Sequence, residues 1–133
     1  MKTVKIALLG FGTVSQGTFN LLQDNVDLIT NRSGVTIEIS KIFVRNPDKY
    51  TNITLPSTAQ YVTNIDDVLN DESIAIVVEL MGGTTFAKDC VEAALKHGKS
   101  VVTANKDLLA EAGPYLFGLA YKNHVDLRFE ASV

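Results

Sequence analysis

Directly behind the apolar run Val4-Lys5-Ile6-Ala7-Leu8-Leu9, the chain turns on Gly10-Phe11-Gly12-Thr13-Val14-Ser15-Gln16-Gly17. A short, near-continuous apolar run is the pattern of a strand buried on both faces, and glycines immediately behind it supply a tight turn. Thr13–Asn25 follows, with Val14, Phe19, Leu21 and Leu22 in loosely helical spacing and Val26 just beyond. Strand, glycine turn and helix in that order form the first half of a unit whose next strand must lie parallel to the first.

The alternation continues along the chain. Val35–Arg45 predicts a second strand, with Val35, Ile37, Ile39 and Phe43 on one face. Asn46–Asn64 carries Pro47 and Pro56 and is expected to be an exposed connection, with a short helix near Ile65–Leu69. Ile74–Met81 is a third strand. Thr84-Thr85 is expected to cap a helix bearing Phe86, Ala87, Cys90, Val91, Ala94 and Leu95, with Lys96 and His97 in its last turn and Gly98 as its stop. Ser100–Thr103 is a fourth strand, Gly113-Pro114 is expected to open the last helix, and Leu127–Val133 is a fifth strand. Together these predict an α/β fold over residues 1–133, a doubly wound parallel sheet in three α/β/α layers.

Composition narrows the function. At 133 residues and 46% hydrophobic content the chain is one globular domain, large enough to need no disulfide or metal staple. Net charge is −3, and Lys and Arg are dispersed, which argues against a nucleic-acid partner. The single cysteine, Cys90, makes no internal disulfide. The N-terminus lacks signal-peptide architecture, and no apolar run approaches the ~18 residues of a membrane span. The expected location is the cytoplasm.

In a Rossmann-type dinucleotide loop the first glycine, here Gly10, permits the turn. The second, Gly12, lets the backbone approach a pyrophosphate at the helix N-terminus. Ser15 stands where a third glycine is usual. It is expected to relax helix packing, with Gly17 relieving the crowding, and to leave phosphate binding intact. At the end of the second strand, where NAD proteins carry an acidic residue for the ribose 2′-hydroxyl, stands Arg45, followed by Asn46. An arginine pairs with a 2′-phosphate, which favours NADP over NAD. The alternative is an arginine stacked on adenine or simply solvated.

Two further loops fall at the same sheet edge, Met81-Gly82-Gly83-Thr84 and Thr103-Ala104-Asn105-Lys106. Gly82 and Gly83 allow close backbone approach to a nicotinamide ribose, and Thr84 offers a hydroxyl. Lys106 can serve as a cation or proton donor beside a carbonyl, or be a plain surface lysine. Cys90 reads as a core packer, His97 as a partner of the helix dipole and His124 as loop surface. Glu79, a carboxylate in an apolar strand, needs a partner, either backbone or a basic group.

LLGFGTVSQG, VVELMGGT, GKSVVTANKDLLAEAG and the terminal LRFEASV together are specific. Through them the chain resembles the N-terminal cofactor domain of homoserine dehydrogenase along nearly its whole length. The resemblance implies NAD(P)H-dependent, reversible hydride transfer between L-aspartate 4-semialdehyde and L-homoserine, in threonine and methionine biosynthesis. It implies cofactor contacts from Gly12, Thr13 and Val14 and a 2′-phosphate contact from Arg45. Thr84, Thr103 and Asn105 would line the nicotinamide side, and Lys106 would serve both cofactor and catalytic site. Glu130 and the Val133 carbonyl match the start of the family's sodium site. The family's substrate-binding and dimerisation domain is absent, so the resemblance implies a homo-oligomeric parent and a fragment that binds cofactor without turning substrate over. The close on a parallel strand also points to a domain cut from a longer protein, self-associating through that uncovered strand.

Two other readings stand beside this one. Another Rossmann oxidoreductase, of the semialdehyde dehydrogenase or dihydrodipicolinate reductase type, shares the first motif. An acylating semialdehyde dehydrogenase would need a thiol nucleophile, for which Cys90 is poorly placed. A stand-alone NAD(P)H-sensing module would also bind the cofactor, but should end in a covered sheet.

Overall fold

The chain runs β1 (Lys2–Leu9), α1 (Thr13–Asp24), α2 (Val26–Ser33), β2 (Val35–Phe43), β3 (Gln60–Val62), α3 (Asp66–Leu69), β4 (Ile74–Glu79), α4 (Phe86–Lys96), β5 (Ser100–Thr103), α5 (Lys106–Lys122) and β6 (Leu127–Phe129). A 3-10 turn at Pro47–Tyr50 joins β2 to β3. This is a computed structural model describing residues 2–129. All strand pairings are parallel, in the order β3-β2-β1-β4-β5-β6. The fold is the Rossmann-like doubly wound sheet, with β1 central and the order reversing beside it.

Alternation along β1 divides the core. Ile6 and Leu8 join Phe11, Phe19, Ile39, Ile42 and Val44 on the α1 side. Ala7 and Leu9 join the cluster built with Val77, Val91, Leu95, Leu108 and Leu116 under α4 and α5. Burying both faces of one strand is what a near-continuous apolar run requires.

The structure departs from the sequence reading in several places. The sheet has a sixth strand, β3, inside the stretch expected to be a bare connection; its three residues pair with Lys41–Phe43. Phe43 does not share a face with Ile37 and Ile39. A register shift pairs Ile6 with Ile39 but Ala7 with Lys41, so the alternation of β2 slips by one residue and Phe43 enters the α4 side. Helix α2 was not anticipated. It has no buried residue, and its ends carry the signals instead: Asp27 in the first turn, Arg32 in the last, and Gly34 in the left-handed region at φ +77°.

The last helix begins at Lys106 rather than at Gly113-Pro114, because the Asn105 side chain accepts from the Leu108 N–H at 3.0 Å and caps it. Pro114 is accommodated within α5 on its exposed face, where the carbonyl left without a donor can meet water. The cap position of α4 is Thr85, and it makes no side-chain cap bond. Of the expected strand Leu127–Val133, Leu127–Phe129 is β6, and the remainder lies outside the described residues.

At the amino ends of the strands, Lys99 is buried and donates to the carbonyls of Asp71 and Ile74 at 2.6 and 2.8 Å. Asp71 in turn accepts from the Ser73 hydroxyl at 2.6 Å and pairs with Lys41 at 3.0 Å. The Ser73 hydroxyl, and after it Lys41, hold the Asp71 carboxyl down to about 2 from the ordinary 3.8, against the opposing effect of burial. A carboxylate depressed in the folded state stabilises it fully above its unfolded value, and that contribution is lost as pH falls through the folded one. Chemical unfolding followed from pH 5 down to about pH 2 should therefore show a loss of stability that Asp71→Asn reduces. An identical acid profile in the variant would remove Asp71 from the account.

Candidate functional site

The carboxyl end of β1 lies between those of β2 and β4, and the helices that follow β1 and β4 go to opposite faces. A crevice opens at such a point. Gly10 leaves β1 at φ +91°, with its N–H donating to the Phe43 carbonyl at 2.9 Å. A Cβ there would stand 3.0 Å from the Met81 side chain, so both conformation and space require glycine. The first bond of α1 runs from the Gln16 N–H to the Gly12 carbonyl at 2.9 Å. The N–H groups of Thr13 and Val14 therefore have no partner within the helix, and no acidic residue occupies its first turn. Such an end attracts an anion.

Ser15 does not slacken this turn. It is buried, and its hydroxyl donates to the Gly10 carbonyl at 2.7 Å, tying the helix back to the glycine loop. Gly17 relieves no crowding either, since a Cβ there would meet nothing within 4 Å.

A cavity of about 370 Å³ lies between the glycine loop and the ends of β2 and β4, with Gly10 and Gly12 in its wall. Arg45, Asn46 and Lys49 line its outer end, and no carboxylate of the described residues lines it. The Arg45 guanidinium lies 5.5 Å from the centre of the Phe86 ring, which stands 5.9 Å from that of Phe43. Lys49 escaped the sequence reading. It is brought in by the 3-10 turn, where Asn46 Oδ1 accepts from the Asp48 N–H at 3.2 Å. The Asn46-Pro47 pair is the signal that marked such a turn.

A second cavity of about 170 Å³ adjoins the first across Leu80 and Gly82, and Val14, Glu79, Ala104 and Asn105 complete it. Beneath it, Glu79 Oε2 accepts from the N–H groups of Met81 and Gly82 at 2.8 and 3.2 Å. Glu79 Oε1 accepts from the Thr103 hydroxyl at 2.7 Å, whose oxygen accepts from the Asn105 N–H at 3.0 Å. Asn105 Nδ2 donates to the Gly83 carbonyl. The partner of Glu79 is thus backbone and hydroxyl. Among the described residues no cation pairs with it.

The predicted site residues are therefore gathered at one edge, but unequally. Gly10, Gly12, Arg45 and Gly82 line the first cavity, and Val14, Gly82 and Asn105 the second. Thr13, Gly83, Thr84 and Lys106 stand beside these walls without lining them, and Thr103 is wholly buried underneath. Lys106 is exposed on the first turn of α5. Glu130 and Val133 lie outside the described residues. Cys90 is buried on α4, and burial first, then the charges of Asp89 and Glu79, push its thiol up to about 11. At neutral pH it is no nucleophile. His97 Nδ1 lies 2.7 Å from the Ala93 carbonyl at the end of α4, and His124 is exposed in a turn.

The family model described as homoserine dehydrogenase, NAD binding domain, matches residues 10–130. The chain belongs to this homoserine dehydrogenase family, as its NAD-binding domain. It is 44% identical over 133 residues to a homoserine dehydrogenase of Neisseria gonorrhoeae, covering all of this chain and 30% of that one. With the Bacillus subtilis homoserine dehydrogenase it shares 38% identity, again over 100% of this chain and 30% of the relative. The crystal structure of a homoserine dehydrogenase from Thiobacillus denitrificans superposes with a TM-score of 0.90 at 42% identity, over 98% of this chain and 30% of that one. The chain thus spans about 30% of the length of the homoserine dehydrogenases it matches.

The Ser15 bond to the glycine loop can be weighed directly. Ser15→Ala removes a buried hydrogen bond, which typically contributes about 1 kcal/mol. Urea unfolding of the variant should show a loss of that size. An unchanged midpoint would mean that the bond carries no weight.

Proposed function

We propose that this chain holds NADP(H), in preference to NAD(H), for the reversible hydride transfer between L-aspartate 4-semialdehyde and L-homoserine. The supporting observation is the lining of the first cavity, which includes Arg45 and Lys49 and no carboxylate of the described residues. An NAD-selective site places an acid there for the 2′-hydroxyl; a guanidinium and an ammonium suit a 2′-phosphate. The crevice fits the rest of the group: Gly10 and Gly12 would keep side chains away from the pyrophosphate, and the Thr13 and Val14 N–H groups would receive its charge. The nicotinamide end would fall against Gly82, Gly83, Thr84 and Asn105, with Thr103 buried beneath them.

When bound, the reduced cofactor supplies a hydride for the semialdehyde carbonyl carbon. The protein holds the reactants in place and accommodates the charge that develops on the carbonyl oxygen. Lys106, projecting from the first turn of α5 beside Asn105, is the group proposed to meet that oxygen as cation or proton donor. Substrate binding and subunit association would fall to the remainder of a full-length enzyme. Glu130 and the Val133 carbonyl would there contribute oxygen ligands to a sodium ion. A cytoplasmic setting in threonine and methionine biosynthesis goes with this reading.

Fluorescence titration of the chain with NADPH and NADH, repeated on Arg45→Ala, tests it. NADPH should bind more tightly, and the variant should lose roughly ten- to hundredfold in NADPH affinity, the weight of a charge-assisted bond, while NADH is little affected. Equal losses for both cofactors would show that Arg45 serves as packing on Phe86 rather than as the reader of the 2′-phosphate.

A further inference from the structure

Glu79 takes no part in the chemistry proposed above, yet it is 0% exposed and bonded to both loops that border the second cavity. Its two oxygens accept from the backbone of Met81 and Gly82 after β4 and from the Thr103 hydroxyl at the end of β5. That hydroxyl accepts from the Asn105 N–H, so its own proton is committed to Glu79. As far as the Asn105 N–H the chain of bonds has a single direction, its donors pointing toward the carboxylate. From Asn105 it continues to the Gly83 carbonyl on one side and the Leu108 N–H on the other, which places the start of α5.

We propose that Glu79 is a positioning residue for the nicotinamide end of the site. Through Thr103 it fixes the loop after β4, which supplies Gly82 to the wall of the second cavity, against Asn105, which lines the same cavity and bonds the Gly83 carbonyl. The proposal rests on the cofactor reading above, since the occupant of that cavity is taken to be the nicotinamide half. Glutamine cannot replace the carboxylate. With its NH2 toward Thr103, the hydroxyl proton loses its acceptor; with its NH2 toward Met81 and Gly82, donor faces donors. Thr103→Val breaks the same chain with nearly the same volume, and Thr103→Ser preserves it.

The test compares two probes on this chain: NADPH, and the 2′-phospho-ADP-ribose fragment that lacks nicotinamide. For Glu79→Gln and Thr103→Val the expected result is a loss of about tenfold or more in NADPH affinity with the fragment's affinity retained, and recovery in Thr103→Ser. Thr103→Val keeps the proposal testable should Glu79→Gln fail to fold. Equal losses of both probes, or Thr103→Ser no better than Thr103→Val, would reduce Glu79 to a structural group and overturn the proposal. If the unaltered chain binds neither probe, the cofactor reading fails first and takes this proposal with it. Binding of the fragment without any gain from nicotinamide would leave the cofactor reading standing and refute the positioning role alone.

Discussion

The site depends on the clamping of β1 from both sides at the residues where it ends. Leu9 accepts from the Leu80 N–H at 3.1 Å, and Gly10, the next residue, donates to the Phe43 carbonyl at 2.9 Å. The glycine turn therefore begins at a point tied to the ends of both β2 and β4, and the walls of the first cavity have little freedom to drift. The one-residue slip in the β1–β2 register carries the consequence outward. It turns Phe43 toward the α4 side, where its ring meets Phe86. Arg45, two residues further on, emerges on the same side and lies over Phe86. The place of a proposed specificity residue thus follows from a bulge in the middle of the sheet.

What was legible in the sequence, and what was not, divides along physical lines. β1 ends in four consecutive buried residues, Ile6–Leu9, and β4 and β5 bury one face and half-bury most of the other; burial of that kind writes itself as near-continuous apolar runs. Helix α4 buries a full face, Ala87, Cys90, Val91, Ala94 and Leu95, and its period shows. Helix α2 and strand β3 contribute little to the core and leave no such trace; β3 buries only Val62. Pro114 misled because proline is read as a boundary, whereas the cap at Asn105 decides where α5 starts. The register slip in β2 has no signature in the sequence, because it arises between strands. In the site, the glycines and Arg45 could be read from their position after strands. Lys49 is legible only through the 3-10 turn that Asn46-Pro47 signals, since that turn brings it to the cavity.

The two glycines after β4 show how a correct residue can be singled out for an incomplete reason. In sequence, Gly82-Gly83 suggests room for a ligand. In the structure a Cβ at either position would meet nothing within 4 Å, yet both are in the left-handed region, at φ +78° and +75°. Conformation, then, requires them, and the conformation wraps the backbone so that Met81 and Gly82 point their N–H groups at Glu79. A carboxylate without water or a cation is costly unless donors converge on it, and three do. The loop needs glycine to reach the carboxylate, and the buried carboxylate needs the loop to supply its hydrogen-bond donors. Neither makes sense alone. Their mutual dependence explains why an acidic residue sits at the end of an otherwise apolar strand.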